Sequence, residues 1–138
     1  MTKSLFATLA VTILTASSIS AQSNPQLRVD LPFDFAAGSS SLPAGEYYVH
    51  ISYVPGTIRM QNADGQHSVV VLAHGAAAKG NLDTARLVFH RYGDRYFLSQ
   101  VFTPGNTIGE ELPKSHDEQE QIAARHASKT VTVLASLK

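Results

Sequence analysis

Leu87-Val88-Phe89-His90-Arg91-Tyr92-Gly93-Asp94-Arg95-Tyr96-Phe97-Leu98-Ser99-Gln100-Val101-Phe102 is the stretch whose reading decides the fold. Two runs rich in aromatic and branched residues flank a Gly-Asp pair, the composition of a two-residue β-hairpin loop. Only a primed turn matches the twist of the flanking strands, and it needs positive φ, which glycine adopts at little cost. With Gly93-Asp94 as the loop, Tyr92 opposes Arg95, Arg91 opposes Tyr96, His90 opposes Phe97 and Phe89 opposes Leu98. Leu87, Phe89, Leu98 and Phe102 then face the core, and Val88, His90, Tyr92, Arg95, Phe97 and Val101 face the other way.

The segments before the hairpin supply the wall it packs against. Leu27, Val29, Leu31, Phe33 and Phe35 alternate with Arg28, Asp30, Pro32 and Asp34, the period of a half-buried strand. Pro32 cannot donate to a ladder, which puts it at an edge or a bulge. Gly38 to Ser41 reads as a loop, and Leu42-Pro43-Ala44-Gly45 fits a type I turn. Glu46 to Val54 is a strand with Tyr47, Val49, Ile51 and Tyr53 on one face, and Thr57 to Gln61 is a shorter one. After the Asp64-Gly65 turn, Val69-Val70-Val71-Leu72 is a continuous apolar run, expected of a central strand covered on both faces. His74 to Asp83 is small, glycine-rich and aperiodic, hence a loop.

Beyond the hairpin, Thr103 to Asn106 is a turn and Ile108 to Lys114 is irregular. Ser115 with Glu118 forms a capping box after Pro113 and opens a helix over Ser115 to Ala127. Its acidic start (Asp117, Glu118, Glu120) and basic end (Arg125, His126) suit the helix dipole. The helix has little apolar content beyond Ile122 and alanines, so it belongs on a surface with its acidic start solvated. Lys129 to Ala135 reads as the last strand. About seven strands with short connections argue an all-β chain, an antiparallel sandwich or a small, partly open barrel. A single C-terminal helix precedes the last strand. Several strands fall short of the about nine to eleven residues that an outer-membrane strand needs.

The chain has 138 residues, enough for one domain and one modest core. Lys3, the apolar run Leu5 to Leu14 and the small residues up to Ala21 have the layout of a signal peptide, cleaved after Ala21. That leaves residues 22–138 as a single exported β domain, periplasmic or extracellular, with no membrane span. Of eleven basic residues Lys3 leaves with the signal, so ten face eleven acidic ones in a nearly neutral chain. Neutrality without charge blocks argues against nucleic acid as a partner. With no cysteine there is neither a lipidation site nor a disulfide framework.

Val29-Asp30-Leu31-Pro32-Phe33-Asp34-Phe35, Leu42-Pro43-Ala44-Gly45-Glu46-Tyr47, His90 to Leu98 and Glu111-Leu112-Pro113-Lys114-Ser115 together have a further implication. In this combination the chain resembles a group of small exported β-proteins of soil bacteria, over nearly the whole length expected after cleavage. That family has no established activity, so the resemblance implies an exported β domain and no catalytic assignment.

No catalytic or cofactor motif emerges. His50, His67, His74, His90, His116 and His126 show no ligand-pair spacing, although His74, Asp83 and His90 have room to converge in space; no metal site is assigned. Gly75 to Gly80 lacks the ending of a phosphate-binding loop, and no serine lies in a nucleophile elbow. Arg91, Tyr92, Arg95 and Tyr96 remain as candidate partner-binding residues, able to grip a carbohydrate, peptide or carboxylate. The plainer alternative is that these cross-strand pairs only hold the hairpin together. The expected function is therefore a non-catalytic exported module that binds an envelope protein or extracellular polymer, or plays a structural part. A carrier of a small apolar ligand inside a barrel is the alternative, and a small hydrolase trails both. An intact-mass measurement of the exported product is expected to place its first residue at or near Gln22. A product retaining Met1 to Leu14 would contradict the signal-peptide reading.

Overall fold

The structure is a computed structural model that describes residues 26–52 and 56–138; the expected signal segment, residues 1–21, and the expected core position Tyr53 lie outside them. The first strands are β1 (Gln26–Leu31), β2 (Phe35–Ala37), β3 (Ser40–Leu42), β4 (Gly45–Ser52), β5 (Thr57–Asn62) and β6 (Ser68–Leu72). They are followed by β7 (His74–Ala77), β8 (Ala85–Tyr92), β9 (Arg95–Phe102), β10 (Ile108–Glu111), the helix α1 (His116–Ala123) and β11 (Ser128–Leu137). Every strand expected from the sequence is present, and β3, β7 and β10 are short additions in segments that lack a clear period. The opening run also splits into β1 and β2, because Pro32 has no N–H to offer a ladder.

The strands form one sheet in the order β3-β2-β9-β8-β11-β1-β4-β5-β6. Its pairings are antiparallel except for a single parallel rung, Ala36 beside Phe97. The long β11 pairs β8 through Ser128 to Ala135 and β1 through Ser136 and Leu137, so it turns the sheet through a corner. At the other end β6 runs through Ala73 into β7, which pairs β10, and β10 pairs β9. That route brings the sheet back on itself as a nearly closed barrel. No helix among the described residues is long and apolar enough to cross a membrane.

The hairpin register is the one the Gly-Asp loop dictates, with Tyr92 opposite Arg95, Arg91 opposite Tyr96, His90 opposite Phe97 and Phe89 opposite Leu98. Gly93 has φ 60° and Asp94 has no positive φ, the requirement of a turn with its left-handed residue in first place. Farther along, the register shifts between Val88 and Phe89, which leaves Ser99 as an extra residue on β9. A one-residue slip moves every later side chain to the opposite face. Val101 therefore enters the core opposite Leu87, and Phe102 pairs with Arg86 on the outer face, the reverse of the sequence expectation. There the Arg86 guanidinium stands 4.3 Å from the Phe102 ring centroid. Gly109 lies against the same ring so closely that a Cβ would collide with it.

The interior is filled. Tyr47, Phe89, Leu27, Ile51, Ile58 and Met60 are among the fully buried side chains of a single cluster. Phe35 meets Tyr47 and Phe89 edge to face at 5.2 and 5.6 Å, while Phe33 meets Phe89 at 5.1 Å. The Tyr47 hydroxyl donates to the Pro43 carbonyl at 2.6 Å, and Asp34 accepts the Ala44 N–H at 2.8 Å, tying the Pro-Ala-Gly turn to the wall. Two other expectations change. The Val-rich β6 ends the pairing order and leaves Val70 and Leu72 exposed, so it is not covered on both faces. The helix stops at Ala123, and Arg125 takes φ 58° just beyond it.

Nothing lies within 4 Å of a Cβ built on Gly93, so only backbone conformation constrains that position. Gly93→Val is expected to lower the urea midpoint by the equivalent of more than about 1 kcal/mol, since a β-branched residue resists positive φ. An unchanged midpoint would show that the turn tolerates a side chain there.

Candidate functional site

Arg91, Tyr92, Arg95 and Tyr96 occupy the last two rungs of the hairpin, and strand alternation divides them between two faces. Arg91 and Tyr96 share the inward parity of Phe89 and Leu98. The Tyr96 ring stacks on Phe33 with centroids 3.8 Å apart, and the Arg91 guanidinium approaches it at 5.3 Å. Arg91 Nε also donates to the Gly93 carbonyl at 2.7 Å, across its own turn.

Tyr92 and Arg95 lie on the outer face. Tyr92 is only 4% exposed, packed with Phe97 and Ala36, and its hydroxyl donates to Glu118 Oε1 at 3.0 Å. The Arg95 guanidinium lies over the Phe97 ring at 5.1 Å, with Asp117 Oδ2 at 3.7 Å. Of the four, Tyr92 is committed to the interior of the structure, and Arg95 is the most accessible.

The partner of Tyr92 explains how α1 is held. Ser115 caps the helix, its Oγ accepting the Glu118 N–H at 3.2 Å. In a full capping box the Glu118 carboxylate would turn back to the Ser115 N–H. Here it turns to the barrel, where Oε1 lies 2.7 Å from His90 Nδ1 as well as accepting from Tyr92. Glu118 is 4% exposed and is the buried residue of the helix, which corrects the expectation of a solvated acidic start. The partners exist because His90 and Tyr92 stand two residues apart on the same outward face of β8. The thin apolar content of α1 is the one sign in the sequence that a polar contact must hold it.

A histidine oriented by a carboxylate is also half of a nucleophile-activating arrangement. Among the described residues no hydroxyl or thiol is hydrogen-bonded to the other ring nitrogen of His90, and the contact shown is the one that joins β8 to α1. His74 lies 3.8 Å from Glu111 and apart from the His90 pair, and no group of three or more His, Asp or Glu among the described residues could hold a metal ion.

Beside the docked helix an open groove of about 380 Å³ runs between the β2–β3 hairpin and the start of β9. Phe35, Leu42 and Tyr96 supply its apolar lining, Asp34, Asp94 and Arg95 its charged groups, and Ser41 a hydroxyl on the β3 side. No sequence pattern announces this groove, because β2 and β3 are strands of three residues, too short to show a period. Compared with known proteins, the chain matches no family model, no curated protein and no solved structure.

Burial, reinforced by the Glu118 carboxylate, pushes the Tyr92 phenol up to about 12 from its ordinary 10.0. The folded state thus keeps a proton that the unfolded state loses between those values, and this contribution to stability is lost as pH rises through the interval. Tyr92→Phe is expected to remove the late-ionising phenol from an ultraviolet absorbance titration and to flatten the decline of stability above pH 10. An unchanged late component would assign it to another tyrosine.

Proposed function

We propose that this chain is a non-catalytic exported β module that binds an envelope protein or extracellular polymer through the groove at its hairpin end. The observation that carries this reading is the groove itself, which sets the Arg95 guanidinium and two carboxylates beside the partly exposed Tyr96, with the buried Phe35 and Leu42 forming its floor. Aromatic and arginine side chains held on a rigid sheet offer contact area and directional donors at little entropic cost. The groove's walls are well held: Phe35 is locked into the core, and Tyr96 is fixed by Phe33. Of the four residues singled out in the sequence, Arg95 and Tyr96 are the ones that line it. Arg91 steadies Tyr96, and Tyr92 steadies α1 alongside.

The carrier alternative lacks comparable support. Positions that would line its cavity, including Tyr47, Phe89 and Leu27, pack on one another instead. Export is supported by the N-terminal pattern and by the resemblance to small exported β-proteins.

Two variants test the groove without touching its supports. Arg95→Ala removes the cation, and Ser41→Trp fills the space from an exposed position on β3. Both are surface changes expected to alter stability by less than about 0.5 kcal/mol. Each should abolish capture of the partner that wild type recovers from an envelope extract or a panel of wall polymers. Capture that survives both substitutions would place binding elsewhere.

A further inference from the structure

At the far end of β9 from the hairpin turn, β10 carries Glu110 opposite Val101. Directly opposed residues point to the same side of a sheet, so Glu110 shares the inward parity of Val101, as does Leu112 two residues on. Glu110 is 8% exposed, yet no hydrogen bond or ion pair reaches its carboxylate from the described residues. Its neighbour Glu111 is the one that meets His74. No side-chain polar atom that is sealed from solvent lacks a partner among the described residues. The carboxylate tip of Glu110 therefore keeps its access through the space it lines. That space is an open cavity at the surface, of about 410 Å³, shared with Asn106, Thr107 and Ile108.

We propose that this cavity is a binding site for an alkyl ammonium group, with Glu110 as its counter-charge. The Glu110 side chain is mostly buried and its unpartnered carboxylate is reached only through this space; an ammonium supplies both the opposite charge and three donors. Burial already holds the Glu110 pKa above the ordinary carboxylate range, opposed only by the neighbouring His74, so the site gains from a further positive charge. The other lining residues suit the alkyl chain behind the ammonium. Ile108 is 62% exposed and offers apolar surface to a methylene chain, while Thr107 supplies a hydroxyl at the rim. The Asn106 side-chain amide donates to the Thr103 hydroxyl. A divalent metal is a poor fit, because calcium needs about six to eight oxygen ligands and magnesium a near-ideal octahedron, while a single carboxylate is present. This site is separate from the hairpin-end groove and does not depend on it.

Titrating the purified protein with n-butylammonium chloride, followed by amide and side-chain carboxyl NMR, tests the proposal. The expected result is a saturable shift of the Glu110 carboxyl carbon and of the 106–110 amides, with no such shift from n-butanol or butyrate. Glu110→Gln keeps the shape and removes the charge, and should weaken binding at least about tenfold, the loss of one charge-assisted contact. Nα-acetyl-lysine amide forms a second arm. Tighter binding than n-butylammonium would identify a lysine side chain on a polypeptide as the source of the ammonium, and equal binding a free amine. A Glu110 carboxyl signal in the wild-type protein that responds to butanol as much as to butylammonium would overturn the proposal, whether or not the variant folds. Undiminished binding by a folded Glu110→Gln would overturn it equally.

Discussion

The barrel depends on a division of labour along one strand, β9. Its first edge is taken by β8 over nearly its whole length. Its second edge is shared, by β2 at Phe97 and by β10 at Gln100 and Val101. Two neighbours arriving on the same edge from different directions need a strand that bends between them, and a bulge with one extra residue provides the bend. Ser99 is that residue. Its carbonyl accepts the Leu112 N–H at 2.8 Å, so the interruption of one ladder secures the segment beyond β10. The change of face it causes then decides the outer shell. Phe102 is turned outward and covered by Arg86, and only a glycine at position 109 leaves room for its ring.

Different physics holds the helix. The barrel gains from burying whole side chains, about 1.5–3 kcal/mol for each large apolar one, and its aromatic cluster adds preferred edge-to-face contacts. α1 has no comparable apolar face, since Ile122 is largely exposed and Glu118 is what it buries. A buried carboxylate is weak evidence of net stabilisation, because desolvation offsets much of the attraction. What makes it tolerable here is that two partners, His90 and Tyr92, meet a single oxygen of Glu118. The contact fixes where the helix sits, through the one residue that α1 buries.

Elements with a strong local signal were legible in the sequence, and elements defined by their neighbours were not. The Gly93-Asp94 loop yields four correct cross-strand pairs, because a two-residue turn leaves one register to the residues around it. Beyond Phe89 the same logic misplaces Val101 and Phe102, since a bulge carries no composition of its own when its extra residue is a serine. β3, β7 and β10 escape for a related reason: strands of three or four residues are too short to show a period. The Val-rich β6 misleads in the other direction. Its apolar run reads as covered on both faces, yet tertiary context leaves it as the last strand of the order. Ser115 and Glu118 announce the helix start, while the fate of the Glu118 side chain depends on a β8 face that the helix sequence does not encode.

The electrostatics of the chain limit the kind of recognition it can perform. With eleven basic and eleven acidic residues and no blocks of charge, the net charge supplies no monopole to steer a partner from beyond the Debye length of about 10 Å. In such a chain a charge counts for more where water is partly excluded. The two proposed sites have this form, each setting an ionic group beside apolar surface: Arg95 near Tyr96 at one end of β9, and Glu110 near Ile108 towards the other. They are opposite in sign at their best-placed charge, Arg95 on β9 and Glu110 on its hydrogen-bonded neighbour β10. The distance between the two charges is therefore set by one sheet, through the ladder that joins β10 to β9 beyond the bulge at Ser99.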